Sequence, residues 1–318
     1  MSPRRGRSSD GAPVVPDATF TSYYGRPVVK KSPWEADIPA YLFLGGLAAG
    51  SSLLGAGADV CDRPSLRRTG RLGGLVAIAL SFAALVHDLG KPARFVNMLR
   101  VAKPTSPMSV GTWILSLYGP AAGLAGAAEL PFLPRFVRRL LRPFVRPAGL
   151  GAAAVAPAVA TYTGVLLAHT ATPAWNSARR ELPIVFAGSA ASAAGGLGMV
   201  FASVDDAGPA RRFAVAGAAL ELAAEKRMEQ SMGLPAETLH AGKAGTLMRA
   251  SRALTTAGAL GAVVGRRSRV VSALAGTALL AGSACTRFGI FEAGQASADD
   301  PKYTVVPQRE RLAARGQA

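Results

Sequence analysis

The strongest constraint on this chain is a series of apolar blocks, most of them near the length that a helix needs to cross a lipid bilayer. A hydrocarbon core about 30 Å thick takes about 20 residues of helix. The blocks run over about Ile38–Val60, Leu72–Leu89, Val110–Leu130, Gly149–Thr170, Ile184–Val204, Phe213–Ala224, Ala250–Val264 and Val270–Phe291. They predict an all-α polytopic transmembrane bundle of about eight spans over residues 34–292, between a polar N-terminal tail (1–33) and a polar C-terminal tail (293–318). The sixth block is the weakest, because it is short, holds Glu221, and is flanked by Arg211-Arg212 and Glu225-Lys226-Arg227. Snorkelling side chains would lengthen it enough to cross, and seven spans is the alternative.

Charge narrows the class further. The net +17 would suit a nucleic-acid binder, but the Arg and Lys residues sit in short clusters between apolar blocks, without interleaved aromatics. That is the pattern of membrane loops, and no nucleic-acid partner is expected. Cys61 and Cys285 are too few for an iron–sulfur cluster or a structural zinc site, so no metal site is expected. The first 20 residues lack the apolar core of a cleavable signal peptide, and residues 1–33 read as a flexible tail with some order near Tyr23-Tyr24-Gly25. The basic connector PRFVRRLLRPFVRP (Pro134–Pro147) reads as an amphipathic interfacial helix whose arginines suit anionic headgroups.

Span parity then sorts the polar residues by side. With the N-terminal side called A, Tyr41 near the start of span one falls near A, as do His87 and Asp88 at the end of span two. Tyr162 and His169 late in span four lean to A, and so does Glu221 late in span six. Asp59 and Glu129 mark side B, whose compact arginine clusters favour it as the cytoplasmic face. Ionisable groups at the mouth of a span serve either as headgroup-level charges or as a functional site.

Three stretches carry a resemblance. YLFLGGLAAGS (41–51), HDLGKPARFVNMLRVAKPTSPMSVGTW (87–113) and YTGVLLAHTATPAWNSARRELPIVFAGSA (162–190) are similar to the NrfD family, the membrane subunits of polysulfide reductase-like complexes. The resemblance extends from about Trp34 to Phe291. It implies a multi-pass, quinone-binding anchor in the cytoplasmic membrane, with no haem or cluster of its own. Electrons would pass between (mena)quinone and a 4Fe-4S ferredoxin-like subunit, itself joined to a molybdopterin-type catalytic subunit. By position, Tyr162 matches a tyrosine beside a quinone oxygen, and Asp88 matches an acid on a proton route. Tyr41 and Ile38 stand where some members have a quinone-contacting histidine and an asparagine. The expected site is therefore Tyr162, Tyr41 and His169 for quinone, with Asp88 and His87 exchanging protons; Lys91 and Arg94 read as interfacial charge.

The alternatives are a proton-translocating or transporter-like subunit without direct quinone chemistry, using Asp59, Glu129 and Glu221, and a plain structural anchor. A haem-bearing anchor would need facing histidine pairs, and His87, His169 and His240 are the only histidines.

Overall fold

The computed structural model describes residues 26–91 and 93–316, so the expected order at Tyr23-Tyr24-Gly25 lies outside the described residues. Those residues form helices and connectors, with no strand among them. The long helices are α1 (Asp37–Val60), α2 (Pro64–Asp88), α4 (Pro107–Ala127), α5 (Arg135–Ala168), α7 (Leu182–Phe201), α8 (Gly208–Met232), α9 (Gly242–Val264) and α10 (Arg269–Asp299). Short helices α3 (Arg94–Met98) and α6 (Pro173–Ser177), a 3-10 turn (Leu234–Leu239) and α11 (Lys302–Ala314) lie between and after them. Five helices, α1, α2, α5, α7 and α10, are long and apolar enough to cross a membrane. The other three long helices have similar lengths; α8 and α9 carry charged side chains, and α4 carries none.

Local sequence sets the helix ends. Pro64, Pro107 and Pro183 stand in the first turns of α2, α4 and α7, where a missing N–H costs no intrahelical bond. Ser106 caps α4 by accepting from the Ser109 amide, and Ser268 caps α10 by accepting from the Val271 amide. Gly90 follows α2 at φ +67°, a left-handed turn that glycine takes without a Cβ clash.

The long helices pack as two rings of four. In the first, α1 packs on α2 and α5 while α4 closes the ring between them; α7, α8, α9 and α10 make the second in the same way. The seam runs through α1 and α7, the most deeply buried of the membrane-length helices. Small residues permit this approach: a Cβ on Gly50 of α1 would fall 2.6 Å from the Ala190 carbonyl oxygen of α7.

Helix ends meet as span parity requires. On side B, Arg71 of α2 lies 3.2 Å from Asp59 at the end of α1 and 2.9 Å from Glu129 just after α4. Arg63 in the α1–α2 turn donates to the Asp205 carbonyl in the α7–α8 turn. On side A, Lys31 pairs with Asp299 at 2.6 Å, and the Trp34 ring stands 6.1 Å from that of Trp175.

Two expectations change, and the polar C-terminal stretch gains helical structure. The basic connector is not a separate helix: α5 runs unbroken for 34 residues, about 51 Å, through Pro143, Pro147 and Pro157. The sixth block is the middle of the 25-residue α8, extended because Glu221 and Glu225 find partners on α9 and α10. Residues past 293 are helical to Asp299, and α11 follows.

Candidate functional site

Tyr41 sits in the second turn of α1 and Tyr162 in the last third of α5, and their hydroxyls hydrogen-bond directly across the first ring. The residues are only 5% and 8% exposed. The local packing explains why they meet. The Tyr41 carbonyl accepts from Ser81 of α2 at 3.1 Å, which fixes α1 against α2 at this level. On the other side, a Cβ on Gly111 would lie 2.5 Å from Cε2 of Tyr162, so the glycine of TSPMSVGTW is the space in which that ring lies. One phenolic O–H is used within the pair, and the second hydroxyl retains a hydrogen for a third group.

An apolar cavity of about 470 Å³ opens between α2, α3 and α4; neither tyrosine lines it, and it is linked to the pair through chain neighbours of Ser81 and Gly111. Ile78 and Phe82, which flank Ser81, line one wall, and Thr112, next to Gly111, lines the other. Phe95 of α3 covers it, edge-on to Phe82 at 4.8 Å between ring centres.

Toward side A the pair leads to charged groups. Asp37 lies one turn before Tyr41 on α1, and its carboxylate is 2.7 Å from Nδ1 of His87 at the end of α2. Asp88 and Glu35 act electrostatically on the same cluster. His87 is exposed and Asp88 half-buried. Ile38 is buried in the first turn of α1. Arg94 donates to the Leu89 carbonyl at 3.1 Å and so ties α3 to the end of α2.

His169 is not brought to the pair. It is exposed at the C-terminal end of α5, seven residues beyond Tyr162, about 10 Å along the axis. Asp37 is the residue that the sequence reading passed over, because it looks like an ordinary acidic helix start. Its i, i+4 spacing from Tyr41 was the available signal.

Other motif residues are architectural. The Asn176 amide donates to the Ala168 and Thr170 carbonyls and so closes the end of α5. Trp175 is buried and donates from Nε1 to the Ile290 carbonyl of α10 at 2.9 Å.

Two polar clusters lie elsewhere. Glu221, expected near side A, is fully buried inside the second ring and accepts from Thr286 at 2.7 Å, which in turn bonds Ser251. Nearby, Arg252 pairs with Glu225 and Glu229, and Arg287 stacks 3.6 Å above the Phe186 ring while donating to the Phe186 carbonyl. Asp59 and Glu129 belong to the arginine network on side B. Among the described residues, no three His, Cys, Asp or Glu side chains are grouped to hold a metal ion, and none of the three histidines is buried.

A family model described as "Polysulphide reductase, NrfD" matches residues 28–206. The match spans more than half of the chain and takes in both tyrosines, the acidic rim and α1 to α7. A search of curated proteins finds no match. The chain belongs to the NrfD family.

Proposed function

We propose that this chain is the quinone-binding membrane anchor of a multisubunit oxidoreductase, and that it exchanges electrons with a 4Fe-4S partner docked on side A. The observation that carries the reading is the Tyr41–Tyr162 pair, seated near an apolar cavity and one helical turn from an acid–imidazole cluster. NrfD proteins are membrane subunits of oxidoreductase complexes, which supports the anchor role. A quinone takes up two electrons and two protons on reduction.

The cavity walls supply an apolar bed for the ring and its tail, with Phe82, Phe95 and Leu115 as packing surfaces. The free phenolic hydrogen of the pair donates to a carbonyl oxygen and orients it. His87 and Asp88, at the water interface, exchange protons with solvent, and Asp37 connects them to the turn below Tyr41. A charged cavity of about 840 Å³ on side A, lined by Arg179, Arg180, Glu181, Arg227, Tyr303 and Arg311, suits a partner subunit. A molybdopterin-type catalytic subunit beyond that partner completes the proposal.

The test is turnover in the intact complex. Tyr162→Phe and Asp88→Asn are each expected to slow quinone turnover on the order of 10²-fold, the usual size of a lost acid–base contribution, with partner assembly unchanged. Wild-type rates in both would remove the site assignment.

A second reading has its own observation. The buried Glu221–Thr286–Ser251 chain and the Arg252 pairs in the second ring suit a proton-translocating subunit. Glu221→Gln separates the two: it leaves quinone turnover intact under the first reading and abolishes proton movement under the second.

A further inference from the structure

On side B, the first turns of α5 form a mostly exposed helical arm, with no buried residue before Gly149. A cavity of about 620 Å³ lies between this arm and the ends of α1, α2 and α4. Its floor is neutralised: Asp59 and Glu129 are held by Arg67, Arg71 and Arg146. Its wall is not. Arg135, Arg138, Arg139 and Arg142 also line it, and among the described residues none of the four has a carboxylate within ion-pair distance. At the floor, the Nε of Arg71 is buried without a hydrogen-bond partner, in a residue only 8% exposed.

The same arm carries a second, independent feature. Phe136, Leu140 and Phe144 recur every four residues, which places them on one face of the helix, and Phe132 continues the series into the preceding turn. All four are more than half exposed. An uncovered aromatic stripe beside uncompensated arginines matches an amphiphile whose anionic head and hydrocarbon tails leave from one point. A free phosphate ion would answer only the arginines.

We propose that this cavity binds the phosphodiester headgroup of an anionic phospholipid, with Arg135, Arg139 and Arg142 on the phosphate and the acyl chains along Phe136, Leu140 and Phe144. The site locks the arm of α5 to the α1–α2 turn. Basic residues gain about fivefold each against anionic headgroups, so three arginines are worth on the order of a hundredfold. Arg138 is kept out of the substitution set because it donates to the Leu130 carbonyl at 3.1 Å.

The test is native mass spectrometry of the full chain in neutral detergent, titrated with phosphatidylglycerol, phosphatidylcholine or inorganic phosphate. The wild type should hold phosphatidylglycerol on the order of a hundredfold more tightly than R135Q/R139Q/R142Q. R266Q/R267Q, which removes arginines from the α9–α10 turn, should bind like the wild type. A second variant, F136N/F144N, keeps the arginines and should also lose phosphatidylglycerol. Equal retention by the wild type and R135Q/R139Q/R142Q, wild-type retention by F136N/F144N, or displacement of lipid by an equal concentration of inorganic phosphate would each overturn the proposal.

Discussion

At the scale of single residues, the site depends on one space and one shared bond. Gly111 is the space. Gly111→Ala puts a methyl 2.5 Å from the Tyr162 ring and must shift it, at a cost of about 1–3 kcal/mol typical of overpacking. Quinone turnover should fall together with thermal stability, whereas Gly123→Ala in the same helix, away from the cavity and where a Cβ meets nothing within 4 Å, should change neither. Arg71 presents a different problem. It is buried against Asp59 and Glu129, and Arg71→Met leaves two carboxylates without their closest cation. Stability measured by thermal unfolding in detergent should drop, by less than the about 3–5 kcal/mol of a wholly unpaired buried charge, because Arg67 and Arg146 remain 3.5 Å away. Adding Asp59→Asn and Glu129→Gln should restore most of it, because the cost lies in the uncompensated charge. The Tyr41–Tyr162 contact itself was hidden from sequence reading: the partners are 121 residues apart, and no local periodicity links them. Tyr162 could be singled out only through its Y-T-G setting, and Asp37 lacked even that.

At the scale of elements, the apolar blocks were legible because hydropathy is a local property and bilayer thickness fixes the helix length. Element boundaries were less so. The arginine-rich stretch before Gly149 looked like a separate helix because its composition changes there, yet the backbone continues through Pro143 and Pro147 into α5. Composition reports a helix's surroundings better than its ends. The short α6 makes a further point. Trp175 packs so closely on α10 that a Cβ on Gly294 would lie 1.9 Å from its ring. Gly294→Ala should therefore loosen α6 from α10, which would appear as faster amide exchange in residues 173–177 while α1 and α2 stay protected. Unchanged exchange in α6 would mean that Trp175 does not hold it.

At the scale of the whole molecule, two rings of four helices meet along α1 and α7, and the first ring carries the tyrosine pair, the cavity and the acidic rim. Span parity had already gathered Tyr41, His87, Asp88 and Tyr162 on one side, since alternation of direction needs no knowledge of packing. It could not tell a residue at the rim from one at the pair, so His169 was grouped with the tyrosines although it ends exposed beyond them. It also leaned Glu221 toward side A but could not show its burial, which depends on Thr286 arriving from α10.

The most direct measurement of the central claim is a double-mutant cycle on quinone turnover in the intact complex, using Tyr41→Phe, Tyr162→Phe and both together. If the two phenols act as one donor unit, each single variant slows turnover and the double variant is no slower than the worse single one. Full additivity of the two losses, or wild-type turnover in the double variant, would contradict the account.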